Sequence, residues 1–216
     1  MTHQDEVAAL TQKGFQEIQG ASDDDLTRLE AYVELLKKWQ AKMNLVGGQT
    51  LGDVWRRHIL DSAQLAPLIP SSARVVADIG SGAGLPGLVL AIINKTPETK
   101  FHLIESNERK CAFLREANRI TGAGAIIHHT RVENIESFQA DIALSRSVAE
   151  LEKLLQYANY VLKKDGQCLF LKGKKWRDEL TKAQKKWIIN ASEIQSVSDP
   201  SGAVLILQGI SHRVDS

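Results

Sequence analysis

The stretch Val75-Val76-Ala77-Asp78-Ile79-Gly80-Ser81-Gly82-Ala83-Gly84-Leu85-Pro86-Gly87 decides how this chain reads. A short apolar run enters a glycine-rich loop, and Pro86 stands where its fixed φ suits the start of a helix. A strand, a tight turn and a helix follow from that order. Alternating glycines let the backbone turn sharply and let a ligand come close to the main chain, more than a plain strand–helix turn needs.

Outward from this loop, short apolar runs alternate with amphipathic ones. Arg74–Ile79, Phe101–Glu105, Ala125–His128, Asp141–Leu144 and Gln167–Leu171 read as buried strands, and Leu85–Asn94, Asn107–Thr121 and Ala149–Leu162 as helices. Alternation of this kind implies βαβ units and a parallel sheet. The end differs: Trp187–Val197 and Ala203–Ile210 flank Asp199-Pro200-Ser201-Gly202, a turn sequence that predicts an antiparallel hairpin. Before residue 71 the chain reads as helical. Ser22 with Asp25 forms a capping-box pattern, and Leu26, Leu29, Val33, Leu36, Trp39 and Met43 recur at helical spacing. A further helix is predicted from Thr50 to about Ala66, ended by Pro67 and Pro70. The expected division is a helical cap over residues 1–70 and a catalytic domain over 71–216.

Composition sets limits. The 216 residues are 43% hydrophobic and 25% charged, with a formal net charge of +1, so the chain can bury a core and its overall charge selects no partner. No apolar run approaches a membrane span, the first residues are polar and acidic, and the two cysteines, Cys111 and Cys168, are far apart. The expectation is a cytoplasmic, monomeric protein without a metal or a membrane. Charge is unevenly spread: residues 163–186 carry nine bases against three acids. Either a polyanion footprint or a solvated helix face explains that segment.

Two ligands compete for the glycine loop. Gly82, Gly84 and Gly87 fit a dinucleotide fingerprint, with Glu105 near the expected ribose distance. Asp78 argues against it, because a carboxylate at the strand end would repel a pyrophosphate. S-adenosylmethionine carries an ammonium and a sulfonium and no phosphate, so Asp78 suits it. The pattern Asp-x-Gly-x-Gly-x-Gly resembles the first motif of S-adenosylmethionine-dependent methyltransferases, and Glu105 resembles the acid that accepts from the adenosine ribose. The sequence therefore predicts an α/β, Rossmann-like class I methyltransferase. Its sheet would be mostly parallel and seven-stranded, with a C-terminal antiparallel hairpin and an N-terminal helical extension.

Target chemistry narrows further. Attack at C5 of a pyrimidine needs a cysteine nucleophile, and neither cysteine is placed for it. Exocyclic amines are commonly served by an Asn/Asp-Pro-Pro-aromatic loop after the fourth strand, where this chain has Ser145-Arg146-Ser147-Val148. An atom with its own lone pair and no proton to lose, such as guanine N7, needs neither device.

Several segments together resemble the ribosomal RNA small subunit methyltransferase G (GidB) family. They are Asn44-Leu45, Arg57-His58-Ile59-Leu60-Asp61-Ser62, Asp78 through Gly87, Arg131-Val132-Glu133, Ser145-Arg146 and Leu171-Lys172-Gly173. The resemblance implies N7 methylation of one guanine in the decoding-region loop of 16S ribosomal RNA, on free RNA or on the small ribosomal subunit. It implies a cofactor site of Asp78, Gly80, Ser81, Gly82, Gly84, Leu85, Glu105, Val132, Glu133 and Arg146, with Arg146 at the methionine end. Asn44, Arg57, His58, Asp61 and Lys172 become the expected substrate contacts. No residue is assigned as acid or base, although His58 is the nearby group whose ordinary pKa lies near neutrality. The chain departs from the family in having Asn44-Leu45-Val46 where Asn-Leu-Thr is common. It also has Ser201-Gly202-Ala203 where an Arg-His often precedes the last strand. A methyltransferase of another RNA site, a protein or a small molecule is the alternative, and a non-catalytic nucleic-acid-binding protein on the same fold is a third.

Overall fold

Alternation of side chains along each strand explains the layers. In β1 (Val75–Ile79), Val76 faces one buried cluster while Ala77 and Ile79 face the other. The same division continues through β2 (Lys100–Glu105), β4 (Ala140–Arg146), β5 (Leu162–Lys172) and β7 (Ala203–His212). A sheet apolar on both faces must be covered on both, and helices cover it. The computed structural model describes residues 10–136 and 138–213.

Seven strands form one sheet in the order β3-β2-β1-β4-β5-β7-β6, with β3 at Ile126–His129 and β6 at Trp187–Gln195. The first five strands in that order pair in parallel, while β5–β7 and β7–β6 pair antiparallel. The predicted architecture, hairpin included, is the one observed. Strand order turns at β1, between β2 and β4, and the carboxyl ends there are where open α/β sheets hold ligands.

Helices α1 (Gln12–Gln19) and α2 (Asp23–Gln40) belong to the N-terminal region, and the Ser22–Asp25 capping box is formed in both directions. Leu26, Leu29, Val33 and Leu36 of the predicted stripe are buried, in one cluster with α4 (Gly87–Ile92), α5 (Glu108–Thr121) and one sheet face. Residues 10–69 thus share a core with the sheet. The opposite face is covered by α6 (Leu151–Val161) and α7 (Trp176–Gln184).

One reading needs correction. The continuous helix expected from Thr50 to Ala66 is instead a 3-10 turn (Gly48–Asp53), a π turn (Trp55–Leu60), the short α3 (Asp61–Ala63) and a second 3-10 turn (Ala66–Leu68). At the π turn the Asp61 N–H donates to the Arg56 and His58 carbonyls, which releases the Arg57 carbonyl for a tertiary bond. The basic segment, read as either a polyanion footprint or a solvated helix face, contains α7, which buries Trp176 and Ala183 and turns its charges outward.

Candidate active site

A cavity of about 800 Å³ opens at the carboxyl ends of the central strands. That volume is in the range of small-molecule sites. One wall is the glycine loop after β1, the others being Glu105, the Thr130–Glu133 stretch and the end of β4. Segment 44–61 and the β6–β7 turn close it from the opposite side.

The loop is held open from beneath. Gly82 lies at φ +56°, and a Cβ there would meet only the Gly80 carbonyl at 3.8 Å, so the loop backbone borders open space. Gly87 has the opposite reason to be glycine: its Cβ would fall 2.7 Å from an Asp78 carboxylate oxygen. The Gly87 N–H donates to Asp78 Oδ2 at 3.1 Å, while Asp78 Oδ1 is buried without a partner. Burial pushes the Asp78 carboxyl up to about 7, against the opposing effect of the Gly87 N–H. Asp78 is not on the cavity wall, and neither is Gly84. Asp78 supports the helix start from beneath, and Gly84 lies close against Leu88 and Leu114.

Glu105 ends β2 on the wall. Its Oε2 accepts from the Gly82 N–H at 2.9 Å and its Oε1 from the Asn107 N–H at 2.7 Å. Each carboxylate oxygen retains acceptor capacity, which suits a pair of ribose hydroxyls. Val132 is buried in a 3-10 turn (Val132–Asn134) and borders the cavity with Glu133 beside it. After β4, Ser147 takes a left-handed conformation at φ +55°, a strained backbone of the kind that collects at functional sites.

Arg146 reaches across to the N-terminal region. Its Nη1 donates to the Arg57 carbonyl and to Asp61 Oδ2, both at 2.9 Å, and its Nη2 donates to His58 Nδ1 at 2.9 Å. A guanidinium cannot accept, so Nδ1 is the acceptor and the His58 proton sits on Nε2. From there it donates to the Thr50 hydroxyl oxygen at 2.6 Å, and that hydroxyl donates to the Gly47 carbonyl. Burial, then the cations of Arg146 and Arg57, push His58 down to about 3. The sequence offered His58 as a group titrating near neutrality, but its surroundings hold it neutral. Asp61 Oδ1 accepts from the Ser198 hydroxyl and the Gln64 amide, and Arg57 pairs with Asp199 at 3.2 Å. These bonds tie the π turn to the β6–β7 turn.

Lys172 is engaged within the protein. It lines the cavity, but its side chain is only 7% exposed, and its ammonium donates to Glu179 at 2.6 Å and to the Ala149 carbonyl at 2.9 Å. Its charge is balanced by Glu179 inside the protein. The remaining expected residues, Gly80, Ser81, Gly82, Leu85, Glu105, Val132, Glu133, Arg146, Asn44, Arg57, His58 and Asp61, all lie on the wall. Thr50, Lys110, Tyr157, Ser196, Ser198 and Asp199 join them without having been foreseen. The turn sequence at 199–202 marked where the chain reverses but not what it faces.

The family profile described as rRNA small subunit methyltransferase G matches residues 25–204. A ribosomal RNA small subunit methyltransferase G of Rhodospirillum centenum is 50% identical over 92% of this chain and 91% of its own length. That of Paramagnetospirillum magneticum is 48% identical over 89% and 92%. Among solved structures, an O-methyltransferase from Bacillus cereus in complex with SAH superposes with a TM-score of 0.58 at 10% identity, covering 93% of this chain and 97% of that one. This last likeness is one of fold.

Proposed function

Because the chain belongs to the ribosomal RNA small subunit methyltransferase G (GidB) family, we propose that it methylates N7 of one guanine in the decoding-region loop of 16S ribosomal RNA. It is an S-adenosylmethionine-dependent ribosomal RNA methyltransferase, and when bound the cofactor supplies an electrophilic methyl group on a sulfonium sulfur. The glycine loop leaves backbone and space for such a ligand, Glu105 offers acceptors for its ribose, and Val132 with Glu133 would border its adenine.

One observation carries the choice of N7. His58, on the cavity wall, is neutral and has both ring nitrogens engaged, by Arg146 and Thr50. It is therefore no proton acceptor, and guanine N7 needs none, since its lone pair is available near neutral pH. The protein's work is then to hold the base in line with the methyl group and to exclude water, which is catalysis by orientation.

RNA would enter beside β5. A groove of about 280 Å³ shares Ser147, Leu171, Lys172 and Gly173 with the cavity and continues to Lys174, Lys175 and Glu179. Lys174, Lys175 and Arg177 are exposed, and the Arg177 guanidinium lies 4.2 Å over the Trp176 ring. This rim suits phosphates, whereas Lys163, Lys182 and Lys186 of the same segment are paired with acids. Among the described residues no helix is long and apolar enough to cross a membrane. The proposal includes a cytoplasmic, monomeric and metal-free enzyme acting on free RNA or the small subunit. Reverse-transcription mapping of N7-methylguanine in 16S RNA, from cells with and without the protein, tests it. Loss of one modified guanine is expected, and an unchanged map would reject the assignment.

A further inference from the structure

We propose that Asp61 neutralises Arg146 so that the transfer site can hold a sulfonium cation, which makes Asp61 a positioning residue that favours the charged cofactor over its neutral product. This deepens the reading above and rests on it, because it takes the methionine end of the cofactor to lie against Arg146.

The cation is built into the wall. Arg146 and Asp61 side chains are 14% and 16% exposed, and Nη1 donates to Oδ2 at 2.9 Å. The guanidinium cannot withdraw into solvent, because the Arg57 carbonyl and the His58 ring hold it from the same side. That arrangement depends on the π turn, since the Arg57 carbonyl would otherwise take the Asp61 N–H in an ordinary α-helix. π turns of this kind recur at functional sites. On its other oxygen, Asp61 is held by the Ser198 hydroxyl and the Gln64 amide, so the carboxylate is fixed from the hairpin turn as well.

Asp61 is the acid whose carboxylate meets the Arg146 guanidinium. Asp199 is engaged by Arg57 and Ser201, Glu105 holds the Gly82 and Asn107 amides, and Asp78 lies behind the loop with its acidity suppressed by burial. His58 contributes no charge. Without the Asp61 carboxylate, Arg146 would lose its protein counter-charge beside a reactant that is cationic at sulfur, and the ligand's own carboxylate, present in substrate and product alike, would offset it only in part. At an effective dielectric near 20, an uncompensated unit charge within ~10 Å is worth roughly tenfold in affinity. After transfer the sulfur is neutral, so the product ligand, S-adenosylhomocysteine, would not feel that charge at sulfur. The amino and carboxylate groups are common to both ligands and cancel in their ratio.

Titration calorimetry with the full chain tests this, using S-adenosylmethionine, S-adenosylhomocysteine and sinefungin, whose ammonium replaces the sulfonium. In Asp61→Asn the affinity ratio of S-adenosylmethionine to S-adenosylhomocysteine should fall about tenfold, and sinefungin should follow S-adenosylmethionine. Arg146→Gln should move the ratio the other way, by leaving the carboxylate uncompensated. The double variant and Asp61→Glu should return it to within about twofold of the wild type. Should Asp61→Asn fail to fold, the opposite shift in Arg146→Gln still decides. Equal losses for all three ligands in the single variants would overturn the proposal and reduce the pair to a structural tie. Unchanged binding of every ligand in both would overturn, in addition, the placement of the cofactor against Arg146.

Discussion

Replacing Asp78 by Asn should stabilise the ligand-free protein, and by an amount that depends on pH. The carboxyl is 1% exposed, and its pKa rises from 3.8 to about 7 through burial. The native state thus binds this proton more tightly than the unfolded chain does. Stability from this group is present below the unfolded pKa and is lost as pH climbs towards the folded one. A gap of roughly three units corresponds to about 4 kcal/mol once both states are ionised. Asparagine keeps an acceptor for the Gly87 N–H but places an amide N–H₂ where Oδ1 now has no partner. That costs about 1–3 kcal/mol, leaving a net gain of about 1–3 kcal/mol at pH 8. Urea unfolding, followed by tryptophan fluorescence at pH 5, 6, 7 and 8, measures it. The variant's advantage should grow by about 2–3 kcal/mol from pH 5 to pH 8 and level off above about pH 7. A difference independent of pH would refute the reasoning, because Asp78 would then be ionised throughout.

With His58 neutral far below the assay range, the single-turnover methylation rate should be nearly flat between about pH 6.5 and 8.5, and His58→Gln should retain most of the chemical step. A rate rising tenfold per pH unit, lost in that variant, would reveal a general base and move the target away from N7. Replacing Lys174, Lys175 and Arg177 together by Gln should lower the salt slope of RNA binding by about two, near 0.7 per contact for a single strand. An unaltered slope would return the segment to a solvated face. Tyr32→Phe removes the hydroxyl that donates to the Ala83 carbonyl at 2.7 Å. It should cost about 1–3 kcal/mol in urea unfolding and weaken S-adenosylmethionine binding, and unchanged values would show the loop to be independent of α2.

What the sequence disclosed follows from how local each signal is. The strand, glycines and helix of residues 75–92 are written in consecutive residues. So are the parallel strands, the Ser22 cap and the Asp199-Pro200 turn, and all are present in the structure. The contacts of Arg146 join residues 85 to 89 positions apart, and Ser198 meets Asp61 across 137, where no periodicity reports a partner. Lys172 reads as a substrate contact, and its ion pair is not legible because its acid, Glu179, lies on a helix among bases. Asp78 was identified as important from its place after a strand, but its depth could not be read there, because burial of a strand end depends on what packs over it.

The N-terminal region does more than close one side of the cavity. Tyr32 of α2 is fully buried and bonds the glycine loop at Ala83, Arg28 donates to the Thr121 carbonyl at the end of α5, and Asp25 pairs with Lys95 beyond α4. At the other end, residues 57–61 supply all three partners of the Arg146 guanidinium. Were that region to detach, the loop would lose a hydrogen bond on a buried carbonyl and Arg146 its counter-charge. Cofactor binding should therefore be linked to docking of these helices: a ligand that needs the loop and a neutralised Arg146 binds only the docked form and stabilises it by mass action. The same docking brings Arg57, His58 and Asp61 to the cavity. One packing event thus completes both sides of the cavity together, and on the proposed function that would confine an orientation-dependent reaction to a fully assembled site.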